Sequence, residues 1–156
     1  MDTKAAILHY CNYQERCHME VRDKLYELGC KKSEVEEYIA ELISLGILNE
    51  QRYACAYARG RFKMKHWGLD KIKQHLRLKK ISEYCIKKSL EEIDAEEYGK
   101  VLKMLAEKKW KELKGEKKSM SKKAKAYRYL LQKGFEYYLI EEIIKEIIIN
   151  EKAETL

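Results

Sequence analysis

Residues 25–46 of this 156-residue chain read LYELGCKKSEVEEYIAELISLG. The pattern predicts a helix that ends at a glycine turn, one apolar residue after the glycine, and then a second helix. Ser33 with Glu36 three positions later is typical of a capping box, so the second helix is expected to begin there. Gly46 is expected to close it. The segment therefore predicts two helices joined by a tight turn.

The same pattern occurs three times, at offsets of 51 and 105 residues from the first copy. Its five positions in each copy are, in order, Leu25, Gly29, Cys30, Val35 and Ile39; Leu76, Lys80, Ile81, Ile86 and Leu90; and Leu130, Gly134, Phe135, Ile140 and Ile144. The first two copies continue into a third helix, expected at about 50–64 and 95–113. Such units bury a face by packing on their neighbours.

We therefore predict an all-α fold of tandem three-helix repeats with no sheet. The expected units are repeat 1 at 1–64, with an extra N-terminal helix, repeat 2 at 65–114, and a truncated repeat 3 at 115–156. Further N-caps are predicted at Asn49, Ser82 and Asp94. The expected core comprises Leu25, Val35, Ile39, Leu42, Ile72, Leu76, Ile86, Leu90, Leu102, Leu130, Ile140 and Ile144.

Charge is unevenly distributed along the chain. The net charge is +7, and proline is absent. Residues 59–80 hold nine Lys or Arg and one acid, and residues 108–128 hold ten Lys or Arg and two acids. Residues 91–97 hold five acids and no base. Two basic blocks of this strength favour a phosphate-rich or acidic partner, and composition does not separate a nucleic acid from an acidic protein groove.

Several classes of function lack their residue patterns. There is no glycine-rich nucleotide loop, and no His pair with zinc spacing. The five cysteines, without any Cys-x-x-Cys spacing or secretory signal, favour free thiols and a cytoplasmic protein. No apolar run approaches the length of a membrane span. We predict a protein that is not an enzyme, with no cofactor, no metal and no membrane partner.

A family resemblance appears in residues 45–54, LGILNEQRYA, followed by Tyr57 and Arg61. It resembles the signature of the RecX regulatory proteins, Leu-Gly-x-Leu-(Asp/Asn)-(Asp/Glu)-x-Arg-(Phe/Tyr)-Ala and then an aromatic and a basic residue. Two flanking blocks are also similar to that family: Arg16 with residues 20–25 and Gly29, and Gly68 with Lys71, Ile72, Leu76, Lys79 and Ile81. The resemblance covers about residues 5–91. Cys17 and Lys80 depart from the usual Ser and Gly.

The resemblance implies an elongated, curved, right-handed-type array of helices. It also implies binding to the RecA recombinase in the groove of its filament on single-stranded DNA. We expect a monomer, because nothing in the sequence calls for a dimer. Such a protein would most often inhibit ATP hydrolysis, strand exchange, recombination and the SOS response. Arg52 is expected to order its loop through nearby acids. The candidate contacts to RecA or DNA are Arg52, Arg59, Arg61, Lys63, Lys65, Lys71, Lys73, Arg77, Lys79, Lys80, Lys117, Lys118, Lys122, Lys123 and Lys125.

Two other functions stay open at this point. One is a helical-repeat protein that binds nucleic acid directly, single-stranded or duplex, and acts without RecA. The other is a helical-repeat adaptor whose partner binding does not depend on the basic block at 59–80.

Overall fold

The computed structural model describes residues 2–155, and these residues form nine α-helices and no strand. In chain order the helices are α1 (Thr3–Tyr13), α2 (His18–Glu27), α3 (Lys32–Ser44), α4 (Glu50–Lys65), α5 (Leu69–Leu78), α6 (Glu83–Glu91), α7 (Ala95–Glu112), α8 (Ser119–Lys133) and α9 (Tyr137–Glu154). The predicted all-α helical repeat fold is confirmed. Among the described residues, no helix combines the length and apolarity that a membrane crossing requires.

The three copies of the repeated pattern share one backbone motif. Gly29, Lys80 and Gly134 all have a positive φ, of 92°, 59° and 96°. At each turn the next residue donates its N–H to a carbonyl five residues earlier: Cys30 to Leu25 at 3.1 Å, Ile81 to Leu76 at 3.1 Å and Phe135 to Leu130 at 3.2 Å. These are Schellman motifs, which bring the apolar residue after the turn back toward its helix. The offsets read from the sequence therefore correspond to equivalent turns.

Lys80→Gly is expected to raise the free energy of unfolding by about 0.5–1 kcal/mol. A side chain in the left-handed region costs about 1–2 kcal/mol, part of which the greater freedom of glycine in the unfolded chain offsets. Urea denaturation measures the change. Lys87→Gly, at an exposed position inside α6, is the control and should lose about 1 kcal/mol. A loss of stability in both variants would contradict this interpretation of Lys80.

Helix starts follow most of the predicted caps. Three caps are confirmed, each accepting an N–H from three residues on: Asn49 from Arg52 at 2.8 Å, Ser82 from Cys85 at 3.2 Å and Asp94 from Glu97 at 2.9 Å. The predicted start at Ser33 is wrong, because α3 already begins at Lys32. There Lys31 donates its N–H to the Glu34 carboxylate at 2.9 Å, which places the N-cap at Lys31, two residues before Ser33.

The described chain divides into two compact units. Unit 1 holds the residues up to Arg59 together with His75–Glu92, and unit 2 holds Gly60–Gln74 together with the residues from Ile93 onward. Helices α4 and α5 therefore contribute to both units. In unit 1, α1, α2 and α3 pack around Ile7, Val21 and Leu25, all at most 1% exposed.

Unit 2 is built from mutual contacts of α7, α8 and α9. The ring of Tyr98 lies between those of Phe62 and Phe135, with centroid distances of 5.7 and 5.2 Å. Eleven of the twelve predicted core residues across the chain are buried. Leu90 is only half-buried, and its neighbour Ser89 is fully buried instead. Burial of Ser89 is possible because its hydroxyl donates to the carbonyl of Ile86 at 2.6 Å.

Candidate functional site

The basic block at 59–80 is divided between the two units. Arg59, Arg77, Lys79 and Lys80 belong to unit 1. The candidate residues that belong to unit 2 are Arg61, Lys63, Lys65, Lys71, Lys73, Lys117, Lys118, Lys122, Lys123 and Lys125. Most of the candidate cations therefore lie in unit 2.

Arg52, at the start of α4, is held by three groups of its own unit. Its guanidinium donates to the Glu15 carboxylate at 2.6 Å and to the carbonyls of Gly46 and Ile47 at 3.1 and 2.9 Å. The two carbonyls follow the C-terminal end of α3, where backbone oxygens lack helical partners. Arg52 thus orders the loop between α3 and α4, and its planar group is already occupied by three acceptors.

Three further candidates form ion pairs with carboxylates of their own unit. Arg59 lies 3.9 Å from Glu92, and Arg77 lies 2.8 Å from Glu83. Lys125 donates to Glu116, and this hydrogen bond lowers the pKa of the Glu116 carboxyl. A polyanionic partner would have to compete with these carboxylates for the same cations.

The other lysine candidates form no ion pair within the described residues. They are Lys63, Lys65, Lys71, Lys73, Lys79, Lys80, Lys117, Lys118, Lys122 and Lys123. Of these, Lys71, Lys73, Lys79 and Lys122 are half-buried, and the remainder are exposed. These cations are the ones available to an external anion.

Unit 2 brings Lys65, Lys71 and Lys133 together, and we call these three residues the lysine cluster. The Lys133 ammonium donates a hydrogen bond to the carbonyl of Lys65 at 2.6 Å. Lys71 lies in the first turn of α5, which packs directly on the turn after α8: a Cβ added to Gly134 would lie 2.2 Å from the Lys71 Cβ. The backbone therefore fixes the positions from which the three side chains extend.

Electrostatics within the lysine cluster are unfavourable. Burial, and then the positive charges of Lys71 and Lys65, lower the pKa of the Lys133 ammonium. Asp70 is next to Lys71 in the chain, but it forms no ion pair with any member of the cluster. Among the described residues no ion pair offsets the repulsion among the three cations, and an anion from outside would relieve it.

Tryptophans lie beside cations in both basic blocks. The Lys71 ammonium lies 4.5 Å from the ring centroid of Trp67, and the Arg61 guanidinium lies 5.5 Å from it. In the second block the Lys122 ammonium lies 4.2 Å from the Trp110 ring. Indole rings attract cations through their quadrupole and restrict where the flexible side chains place their charge.

Sequence reasoning missed Lys133, which is outside both basic blocks. The repeat itself held the signal, because the offset that relates Leu76 to Leu130 also relates Lys79 to Lys133. Lys79 is a candidate because it lies in a basic run, whereas the neighbours of Lys133 are mostly neutral. Only the packing of α5 on the turn after α8 shows that Lys133 is near Lys65 and Lys71.

The His, Cys, Asp and Glu side chains are the groups that could hold a metal or act as a nucleophile. In the part of the chain that the structure describes, no three His, Cys, Asp or Glu side chains converge as a metal site would require. The cysteines are buried except Cys30, which is half-buried. Burial raises the pKa of the Cys11, Cys17 and Cys55 thiols, which disfavours the thiolate that a nucleophile needs.

Comparison with known families gives matches over much of the chain. The family model described as "RecX, second three-helix domain" matches residues 49–90, and "RecX, third three-helix domain" matches residues 96–144. These ranges begin a three-helix unit at α4 and at α7. The boundaries at 64 and 114 drawn from the sequence stay a prediction.

Individual proteins give the same result. A protein named "Regulatory protein RecX" from Clostridium perfringens is 34% identical over 86% of this chain, which spans 63% of that relative's length. A protein of the same name from Prosthecochloris aestuarii is 28% identical over 96% of this chain and 97% of its own. The crystal structure of RecX from Lactobacillus salivarius has a TM-score of 0.82 and 31% identity, and the match covers 93% of this chain and 94% of that one.

Proposed function

The chain belongs to the RecX family of regulatory proteins, and on that premise we propose that it binds RecA. In this proposal it lies along the RecA filament on single-stranded DNA and lowers ATP hydrolysis and strand exchange. It does so by binding rather than by a reaction of its own, as a monomer in the cytoplasm.

The observation that carries the proposal is family membership, and the charge distribution supports it. Unit 2 holds lysines on α4, α5 and α8 that form no ion pair with any described residue. A filament that carries a nucleic acid strand is a long polyanion, and separated cations on successive helices suit such a partner. Among the described residues no side-chain arrangement supplies a nucleophile or an activated base, so binding without a chemical reaction is the simplest mode of action.

We expect this protein to slow the DNA-dependent ATPase of RecA at substoichiometric concentration. Lys71→Glu/Lys73→Glu, which reverses two charges on α5, should shift the concentration for half-maximal inhibition upward by about tenfold or more, because like charges then face the polyanion. Lys100→Glu/Lys103→Glu on α7 is the matched control. It reverses two charges that pair with Glu96 and Glu146, and it should leave inhibition nearly unchanged.

Three outcomes separate the candidate functions. Folded protein without effect on RecA over a wide concentration range would overturn the proposed function. If it nevertheless binds DNA tightly without RecA, the direct nucleic-acid-binding function gains support. If it inhibits RecA and Lys71→Glu/Lys73→Glu inhibits equally well, binding does not involve the basic face of α5, as expected for an adaptor.

A further inference from the structure

We propose that the lysine cluster of Lys65, Lys71 and Lys133 is a binding site for the phosphodiester backbone of a nucleic acid. The proposal rests on the proposed function only in that a RecA filament carries DNA, since the binding itself requires no RecA. Lys65 and Lys71 are two of the fifteen candidate residues predicted from the sequence, and Lys133 is not among them.

Backbone hydrogen bonds build the site. The N–H of Gly68 donates to the carbonyl of Lys133 at 2.7 Å, and the N–H of Asp70 donates to the carbonyl of Gly134 at 2.9 Å. His66, at the turn between α4 and α5, has a φ of 56°. The end of α4, the start of α5 and the end of α8 are thereby joined at one place, so the backbone positions of the three lysines are fixed relative to one another.

The interior of this turn is tightly packed. A Cβ added to Gly68 would lie 2.3 Å from the carbonyl carbon of Gly134 and 2.4 Å from the nitrogen of Phe135. The Nδ1 atom of His66 is buried without a hydrogen-bond partner among the described residues. The turn is thus shaped by close backbone contact, and the lysine side chains leave it from fixed points.

Charge indicates what the cluster binds. Each member is a cation that lacks an ion pair within the described chain, and burial together with the other two charges lowers the pKa of Lys133. Holding three uncompensated ammonium groups together is unfavourable unless an anion joins them. The indole of Trp67 keeps the Lys71 ammonium, 4.5 Å from its centroid, close to the turn.

The side-chain chemistry suits phosphate. Lysine binds phosphate as a point charge, and several ammonium groups can share the oxygens of one phosphodiester group. Arginine is preferred for bidentate recognition of carboxylates and phosphates alike, so three lysines suit an anion that is held by several point charges. Lys63 and Lys73 of the same unit also lack ion pairs among the described residues. These additional cations suit a chain of phosphates rather than an isolated anion.

The test is the salt dependence of binding to a fluorescent oligo-dT strand, measured by anisotropy without RecA. Each lysine–phosphate contact to a single strand contributes about 0.7 to the slope of log K against log salt. Lys71→Gln/Lys133→Gln is therefore expected to reduce the slope by about 1.4, and Lys71→Gln by about 0.7. Lys71→Gln keeps the Lys133 hydrogen bond to the Lys65 carbonyl, so it serves if the double variant does not fold.

The matched control is Lys100→Gln/Lys103→Gln, which removes the same charge from α7 of the same unit and should leave the slope unchanged. The same measurement is made on a DNA duplex of the same length, and a smaller salt slope of the cluster variants on either substrate supports the site. Binding to poly-glutamate is measured as well. Equal slopes for parent and cluster variants on both nucleic acids would overturn the proposal, as would poly-glutamate binding that is tighter than DNA binding and lost in the same variants.

The outcome of this test is separate from that of the ATPase test. Loss of DNA binding in the cluster variants, with no effect of the parent on RecA, would support the site and overturn the proposed function. Inhibition of RecA with an unchanged salt slope in the cluster variants would support the proposed function and overturn the site.

Discussion

Gly134→Ala is expected to lower the free energy of unfolding by about 3 kcal/mol. Two costs combine in this variant. Gly134 has a φ of +96°, where a side chain costs about 1–2 kcal/mol. The new Cβ would also lie 2.2 Å from the Cβ of Lys71, and overpacking of this kind costs about 1–3 kcal/mol.

Other glycines separate the two costs. Gly68→Ala adds only the steric clash, because a Cβ there would lie 2.3 Å from Gly134. Gly29→Ala adds only the backbone strain, since its φ is +92° and nothing lies within 4 Å. Gly99→Ala adds neither and should gain about 1 kcal/mol inside α7. Urea denaturation of the four variants gives the comparison, and a Gly134→Ala variant as stable as Gly29→Ala would contradict the clash.

The same substitution bears on function. Relief of the clash requires α5 to move away from the turn after α8, and this separates Lys71 from Lys133. If the lysine cluster binds DNA as proposed, Gly134→Ala should therefore weaken that binding even where the protein is still folded. Gly29→Ala, in unit 1, should lose stability without that effect.

The sequence was sufficient for the helices and for the equivalence of their turns. Spacing of apolar residues predicts helical faces because a buried stripe recurs every three or four residues, and Leu25, Leu76 and Leu130 are buried as expected. N-caps can also be predicted from the sequence, because the side chain of Asn49 or Asp94 accepts a hydrogen bond from an N–H only three residues away. The start predicted at Ser33 is wrong because two caps are possible there. The Glu34 carboxylate accepts the N–H of Lys31, and this cap starts α3 before Ser33.

The candidate site could not be read in the same way. A run of basic residues shows where charge is dense along the chain, but it does not show which charges are neutralised. Three of the candidate arginines form ion pairs: Arg52 with Glu15, Arg59 with Glu92 and Arg77 with Glu83. The first two pairs join residues far apart in the sequence, so a local pattern does not reveal them. The cluster depends on contact between α5 and the turn after α8, some sixty residues later, which no local pattern encodes.

Tyr98→Ala is expected to lower the free energy of unfolding by about 3–5 kcal/mol, since Tyr98 is only 6% exposed and its ring packs on Phe62 and Phe135. Tyr98→Phe keeps the ring but leaves two polar groups without their partner. The hydroxyl accepts the N–H of Leu69 at 3.0 Å and donates to the Glu136 carboxylate. The loss expected for Tyr98→Phe at pH 7 is about 1–3 kcal/mol.

The pH dependence distinguishes the hydroxyl from the ring. Burial, and then the hydrogen bond to Glu136, raise the pKa of Tyr98 above its usual value of 10.0. The folded protein therefore keeps this proton while the unfolded chain loses it. The stabilisation is complete below pH 10 and falls by about 1.4 kcal/mol per pH unit as the pH rises above 10. Because Phe cannot ionise, the difference in stability between parent and Tyr98→Phe should shrink over that interval.

Urea denaturation of parent and Tyr98→Phe from pH 8 to pH 11 measures this difference, and the comparison cancels the titration of the lysines common to both. Tyr84→Phe, at a ring that is 64% exposed, is the control and should stay within about 0.5 kcal/mol of the parent at neutral pH. A gap between parent and Tyr98→Phe that is constant across this range would show that the buried hydroxyl does not hold its proton. The link from α7 to the start of α5 and to Glu136 would then depend on packing of the ring alone.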